Sequence, residues 1–275
     1  MDKKLNSINS RENSLGTTAH ELIMSDDETT KYARVVIAAL GGIPWVGSVL
    51  GVISVLSSEN EQGDVNQILY LWAKEHEHKL KEFNLSVKEM QARFEKSQRD
   101  LSERINSDEY LGLVRKTFSQ WDTTETHEKK EMLNKLIINA GLIELVKDDL
   151  IRLFLDWINK YHEFHFSVIR EIYKNPGITR RQIWVNLREN LPTDSSSEAH
   201  LFKLLINDLS LGEVIHQHKE VDINGNYMKL KPAKKGTSRN LQSAFEETKR
   251  YELTALGKEF VHYVMNDAVI GIENS

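Results

Sequence analysis

The sequence predicts a mainly α-helical protein: an elongated helical bundle followed by a small α+β domain. Three observations predict it. Only four prolines interrupt 275 residues. Apolar residues recur at helical spacing over long stretches as far as residue 160. Beyond that point short helical patterns give way to strand-like segments and turn signals. The length suits two domains of ordinary size. A net charge of −5 speaks against a chain that is basic throughout, and leaves local basic patches open. There is no cysteine, so disulfides, thiolate zinc sites and cysteine nucleophiles are excluded, and a reducing cytoplasm is the expected compartment. Lys3 and Lys4 are followed by polar residues and the first apolar run starts late, which does not read as a secretory signal.

Residues 1–24 are polar and of mixed charge, and read as a flexible tail. The bundle is expected over residues 25–160. Ser25 and Glu28 form a capping box, and Asp26 and Asp27 suit the positive end of a helix dipole. The helix they start runs into VVIAALGGIPWVGSVLGVISVL, Val35 to Leu56, which is twenty-two residues without a charge. Gly41, Gly42 and Pro44 should break it, and Pro44 fits the first turn of a second helix. The stretch therefore reads as an apolar helical hairpin. Gly47 and Gly51 form a GxxxG pair that permits close helix approach. Over 64–97 there is no Gly or Pro, and a helix of that length spans about 50 Å. Val65, Leu69, Trp72, His76, Lys79, Phe83, Val87, Met90 and Phe94 recur on it at steps of four and three, a seam that wants partner helices. Three more helices follow. One is SDEYLGLVRKTFSQW. The next starts from Asp122 and Glu125 as a capping box and stops at Gly141. The third starts at Asp148 and Asp149, with Leu150, Leu153, Phe154, Trp157 and Ile158 as its apolar stripe.

Residues 163–270 change character. A helix ended by Pro176-Gly177 precedes a second one with Thr179 and Gln182 as capping box. SSSEAHLFKLLINDLS is a third, followed by GEVI. A hairpin is expected about Asn224-Gly225-Asn226, then a short strand in KRYEL, a cap at Thr254 and a closing helix. The order helix, helix, helix, strand, strand, helix, with GEVI after the third helix and YELTALGKEFVHYV after the wing, resembles winged-helix domains. That resemblance implies a helix-turn-helix whose third helix usually lies in the DNA major groove. Here that helix has Glu198, Lys203 and Asp208 and no arginine, the commonest reader of guanine. Arg180, Arg181 and Lys203, with Lys229, Lys231, Lys234, Lys235 and Arg239 of the wing insert, are the candidate phosphate contacts. A protein-contact surface is weighed ahead of DNA.

No nucleotide-binding or nucleophile-elbow motif occurs, and paired carboxylates sit where helix starts want them, so no enzyme is expected. His76/His78, His162/His165 and His216/His218 match no metal geometry, so neither metal nor cofactor is expected. The apolar, glycine-rich hairpin beside a long seamed helix is similar to α-helical pore-forming proteins. That resemblance implies an element shielded in the soluble state and released into a membrane on activation. It maps onto Val35, Leu40, Gly41, Gly42, Pro44, Trp45, Gly47, Val49, Leu50, Gly51 and Leu56. The leading expectation is thus a cytoplasmic effector, of toxin or antiviral-defence type, that moves to the inner membrane. It would assemble as a homo-oligomer through Gly47, Gly51 and the seam, with the C-terminal module contacting a regulatory protein. The rivals are a winged-helix DNA-binding regulator with a helical dimerisation domain, and a scaffold that only recruits protein.

Overall fold

The computed structural model describes residues 29–45, 63–97, 99–142, 147–188, 190–218 and 243–265. Over these the protein is mainly helical, with one three-stranded antiparallel sheet. It divides into two compact units between Asn159 and Lys160.

The N-terminal unit contains α1 (Thr29–Gly41), α2 (Gly63–Glu95), α3 (Ser102–Asn106), α4 (Asp108–Thr123), α5 (His127–Leu142) and α6 (Asp148–Lys160). Helix α1 ends at Gly41, where the glycine pair was expected to break it. Ser25, Glu28 and residues 46–56 of the expected hairpin's second arm lie outside the described residues. α1 packs along α4 and buries Tyr32, Val35, Val36, Ala38, Ala39 and Ile43. A Cβ on Gly42 would strike the backbone carbonyl of Arg115 on α4, so only glycine permits this approach.

Helix α2 is one continuous helix of 33 residues. Val65, Leu69 and Trp72 lie on it, and their side chains lie outside the description. Phe83, Val87, Met90 and Phe94 are buried in the unit's own core. The Phe83 ring stands 5.1 Å from Phe118 and 6.3 Å from Trp121, centre to centre. Phe94 stands 6.0 Å from Tyr32 and 6.4 Å from Tyr110. This half of the seam is spent on helices of the same unit.

Two helix boundaries differ from expectation. Asp122 lies in the last turn of α4, which runs to Thr123, and α5 starts at His127 rather than after Asp122. Trp121, buried in the core, carries α4 one turn further, and the Asp122 carboxylate is used elsewhere. Gly141 lies inside the last turn of α5 and does not stop it. A Cβ there would come within 2.8 Å of both Phe94 Cζ and Tyr110 Oη, so this glycine serves packing. Tyr110 Oη donates to the Ile137 carbonyl at 3.0 Å, and burial pushes its pKa up. On α6 the buried stripe is Ile151, Phe154, Leu155, Trp157 and Ile158, with Leu150 and Leu153 only flanking it. Asp148 serves as more than a dipole partner. Arg104 of α3 donates to its two oxygens at 2.6 and 3.3 Å and to the Ala140 carbonyl at 3.2 Å.

The C-terminal unit contains α7 (Glu163–Lys174), β1 (Ile178–Thr179), α8 (Arg180–Leu187), α9 (Ser197–Leu211), β2 (Ile215–Gln217), β3 (Arg250–Leu253) and α10 (Ala255–Phe260), which continues as a π-helical turn over Val261–Met265. The sheet order is β1-β3-β2, with Ile178 opposite Tyr251 and His216 opposite Glu252. Strand β1 was not expected from the sequence, since two residues give no alternation to read. The Asn224-Gly225-Asn226 turn lies outside the described residues. Phe166, Ile169, Trp184, Phe202, Ile206, Tyr251 and Phe260 fill the core.

The local signals of this unit act as expected. Thr179 Oγ1 accepts from the Gln182 N–H, and Gln182 Oε1 accepts from the Thr179 N–H at 3.0 Å. Thr254 Oγ1 caps α10 by accepting from the Gly257 N–H at 2.9 Å, and Ser196, a cap not expected from the sequence, accepts from the Ala199 N–H at 3.1 Å at the start of α9. Thr179→Ala is expected to cost about 1 kcal/mol, the usual worth of an N-cap, with β1 still paired. A urea titration followed by circular dichroism checks it.

Candidate functional site

In the N-terminal unit, the point where α1's apolar run turns is held by polar contacts. Trp45 Nε1 donates to Asp122 Oδ1 at 2.6 Å. Lys79 Nζ donates to the same oxygen at 3.1 Å and to the Asp122 carbonyl at 3.3 Å. The Lys79 ammonium also stands 5.9 Å from the centre of the Trp45 ring, and the His76 ring lies 4.7 Å from it. Three elements meet here: the end of the α1 turn, the middle of α2 and the last turn of α4. The two polar interruptions of the seam, His76 and Lys79, thus receive Trp45. A cation beside the last carbonyls of α4 also suits the negative end of its dipole. A hydrogen bond to a charged acceptor contributes about 2 kcal/mol, and the half-exposed Lys79–Asp122 pair adds less than about 1 kcal/mol. A contact set of that size holds the segment and can be undone by a modest competing interaction.

Of the candidate insertion residues, Val35 and Gly42 are buried, Leu40 and Trp45 half-buried, and Gly41 and Pro44 exposed. Gly47, Val49, Leu50, Gly51 and Leu56 lie outside the described residues. Among the described residues no helix is long and apolar enough to cross a membrane.

In the C-terminal unit, α9 buries Ala199, Phe202, Leu205, Ile206 and Leu209. Its other face exposes Leu201, Leu204 and Leu211, at 51%, 55% and 82%. Their spacing puts them on one stripe. Three exposed leucines on a fifteen-residue helix exceed what solvation needs, and the charges beside them are Glu198, Lys203 and Asp208. Such a face suits an apolar partner surface and is poorly suited to phosphates.

Of the candidate nucleic-acid residues, the three described ones, Arg180, Arg181 and Lys203, stand in different settings. Arg180 is buried, donates through Nε to Tyr251 Oη at 2.8 Å and covers that ring at 5.3 Å. Its sequence assignment to phosphates is corrected: it is a core residue joining α8 to β3. Arg181 pairs with Glu247 at 2.8 Å. Lys203 is half-buried on the flank of α9. Lys229, Lys231, Lys234, Lys235 and Arg239 lie outside the described residues.

The histidines are engaged locally. His165 Nδ1 accepts from the backbone N–H of His162, its Nε2 stands 3.9 Å from Asp208 Oδ2, and its ring stacks on Tyr161 at 4.9 Å. Burial pulls its pKa down to about 4, partly offset by Asp208. His216 and His218 face the two oxygens of Glu252 at 3.5 and 3.2 Å. Among the described residues no three His, Asp or Glu side chains are placed to hold a metal ion. The Asp122 and Leu201–Leu211 features escaped the sequence reading. The only available signals were an i, i+3, i+10 leucine spacing and one acidic residue in a helix end.

No protein-family model, curated protein or solved structure matches this chain.

Proposed function

We propose that the chain is a membrane-acting helical effector, of toxin or antiviral-defence type, that stores its apolar element in the N-terminal unit. The C-terminal unit is a winged-helix module that contacts a regulatory protein through α9. The protein is cytoplasmic until activation, has no residue assigned to catalysis, and assembles on the inner membrane through Gly47, Gly51 and the part of the seam at Val65, Leu69 and Trp72, since Phe83, Val87, Met90 and Phe94 are buried within the unit.

The observation that carries this reading is the Trp45 contact set. Val35–Ile43 is tucked against α4, and the residue that leads into the rest of the apolar run is held by Asp122 and Lys79 rather than by core packing alone. The winged-helix part is supported by the order of helices and strands and by the β1-β3-β2 sheet. The leucine face of α9 and the burial of Arg180 favour protein over DNA as its partner. The thirteen residues of α1 rise about 20 Å, short of a bilayer core of about 30 Å. Insertion therefore requires Val35–Leu56 to act as one rearranged element.

The test compares wild type, Asp122→Ala and Val49→Glu on dye-loaded anionic vesicles. Asp122→Ala releases Trp45 and Lys79 and is expected to leak dye at about tenfold lower protein, as loss of one charge-assisted contact implies. Val49→Glu places a charge in the inserting element at a cost of about 3 kcal/mol and is expected to silence leakage while its melting transition stays in place. Absence of leakage and of vesicle flotation for both wild type and Asp122→Ala sinks the membrane reading.

A further inference from the structure

We infer that the partner met by α9 is itself a helix, whose apolar face is interrupted by a lysine or arginine that pairs with Asp208. The inference rests on the reading of α9 as a protein-contact face, and narrows what that face takes.

Leu201, Leu204, Asp208 and Leu211 follow one another at steps of three, four and three. That is the spacing of a coiled-coil seam, and it matches a second helix laid along the first. A strand, with its period of two, does not follow it. The three leucines are exposed by half or more. On the opposite side of α9, Phe202, Leu205, Ile206 and Leu209 are buried in the unit's own core, so the seam is held in place before a partner arrives. The fifteen residues of α9 rise about 22 Å, room for two heptads.

Asp208 gives the seam a sign. Its side chain is 33% exposed, and on its inner side His165 Nε2 stands 3.9 Å away. Burial pulls the pKa of that ring down to about 4, so at pH 7 it brings no positive charge to the carboxylate. Lys203 lies about 100° round the helix from Leu204, on the flank of the seam and not in it. A partner that covers the leucines also covers Asp208, and a desolvated carboxylate is costly unless a cation meets it. In coiled coils a single polar position in the seam selects partner and register in this way. The same carboxylate speaks against two other occupants. Two copies of α9 packed in parallel would set Asp208 against Asp208, and packed antiparallel with Leu201 facing Leu211 would set it against Leu204. An anionic bilayer surface would repel it.

The experiment titrates the full chain into two short labelled helical peptides at pH 7, read by fluorescence anisotropy. Both peptides carry leucine along one heptad seam and glutamine elsewhere. One central seam position is lysine in the first and glutamate in the second. The lysine peptide is expected to bind with Kd on the order of 10 µM, and the glutamate peptide about tenfold more weakly. Asp208→Asn keeps the shape of the side chain and is expected to bring the two peptides within about twofold of each other. Leu204→Ser changes an exposed position, leaves the core untouched, and is expected to weaken both peptides about tenfold. Equal binding of the two peptides by wild type, or a preference that survives in Asp208→Asn, overturns the inference and leaves α9 as a protein-contact face. Peptide binding that Leu204→Ser does not weaken lies elsewhere on the chain and overturns both. No binding of either peptide up to about 1 mM protein overturns the helical seam. So does a dimer in light scattering that Leu204→Ser dissociates, which assigns the leucines to a second copy, or vesicle flotation that Leu204→Ser abolishes, which assigns them to lipid.

Discussion

Phe83→Ala is expected to lower the stability of the N-terminal unit by about 4 kcal/mol, the usual cost of emptying a buried phenylalanine site. Phe83 is fully buried, with its ring edge-on to Phe118 and Trp121. Removing it opens a void where α2 meets α4, and the Phe118 and Trp121 rings cannot collapse into it without leaving their rotamers. Leu85, two residues on and 67% exposed, is the control. Leu85→Ala is expected to stay within about 0.5 kcal/mol of wild type. Urea unfolding of both variants, followed by near-ultraviolet circular dichroism, measures the difference. The comparison also decides the fate of the seam. If Phe83→Ala left stability unchanged and instead lowered the molecular mass in light scattering, Phe83 would belong to an interface between copies. The aromatic packing described above would then be wrong.

The C-terminal unit is expected to lose about 3 kcal/mol as the pH falls from 6.5 towards 4, through His165. Burial holds the His165 pKa at about 4, well below an ordinary histidine. Between those two values the unfolded chain binds a proton that the folded unit refuses. Stability is therefore full above about pH 6.5, falls with pH, and bottoms out below about pH 4. The groups facing His165 work in both directions. Asp208 favours the proton, whereas His162 and Lys160 oppose it. His165→Gln isolates the effect. Glutamine at the third helical position still accepts from the His162 N–H, as a capping box does, and it does not titrate. Urea midpoints at pH 7, 5.5 and 4.5 should fall for wild type and stay nearly level for His165→Gln. Parallel decline of the two proteins would remove His165 as the cause.

Much of the helical layout was legible because its signals are local. The Thr179/Gln182 box, the Thr254 cap, the break at Gly41-Gly42 and the uninterrupted α2 each depend on groups within about one helical turn. Burial along α2 from Phe83 to Phe94 was legible as well, because a 3.5-residue period records a covered face whatever covers it.

What covers that face was decided by the tertiary structure alone, since spacing along one helix says nothing of whether the partner is the same chain or another. The same holds for the side chains whose roles changed. Asp122 reads as a helix start by its neighbours, but Trp45 and Lys79, 77 and 43 residues away, draw it into the end of α4 instead. Arg180 reads as a surface cation, but Tyr251, 71 residues on, takes it into the core. Gly141 reads as a helix stop, and becomes the gap into which Phe94 and Tyr110 fit. Short-range hydrogen bonds and periodicity thus set where the helices lie. Which charges are buried and which leucines of α9 stay exposed followed only once distant segments packed together, because those properties belong to pairs of surfaces and not to either sequence segment.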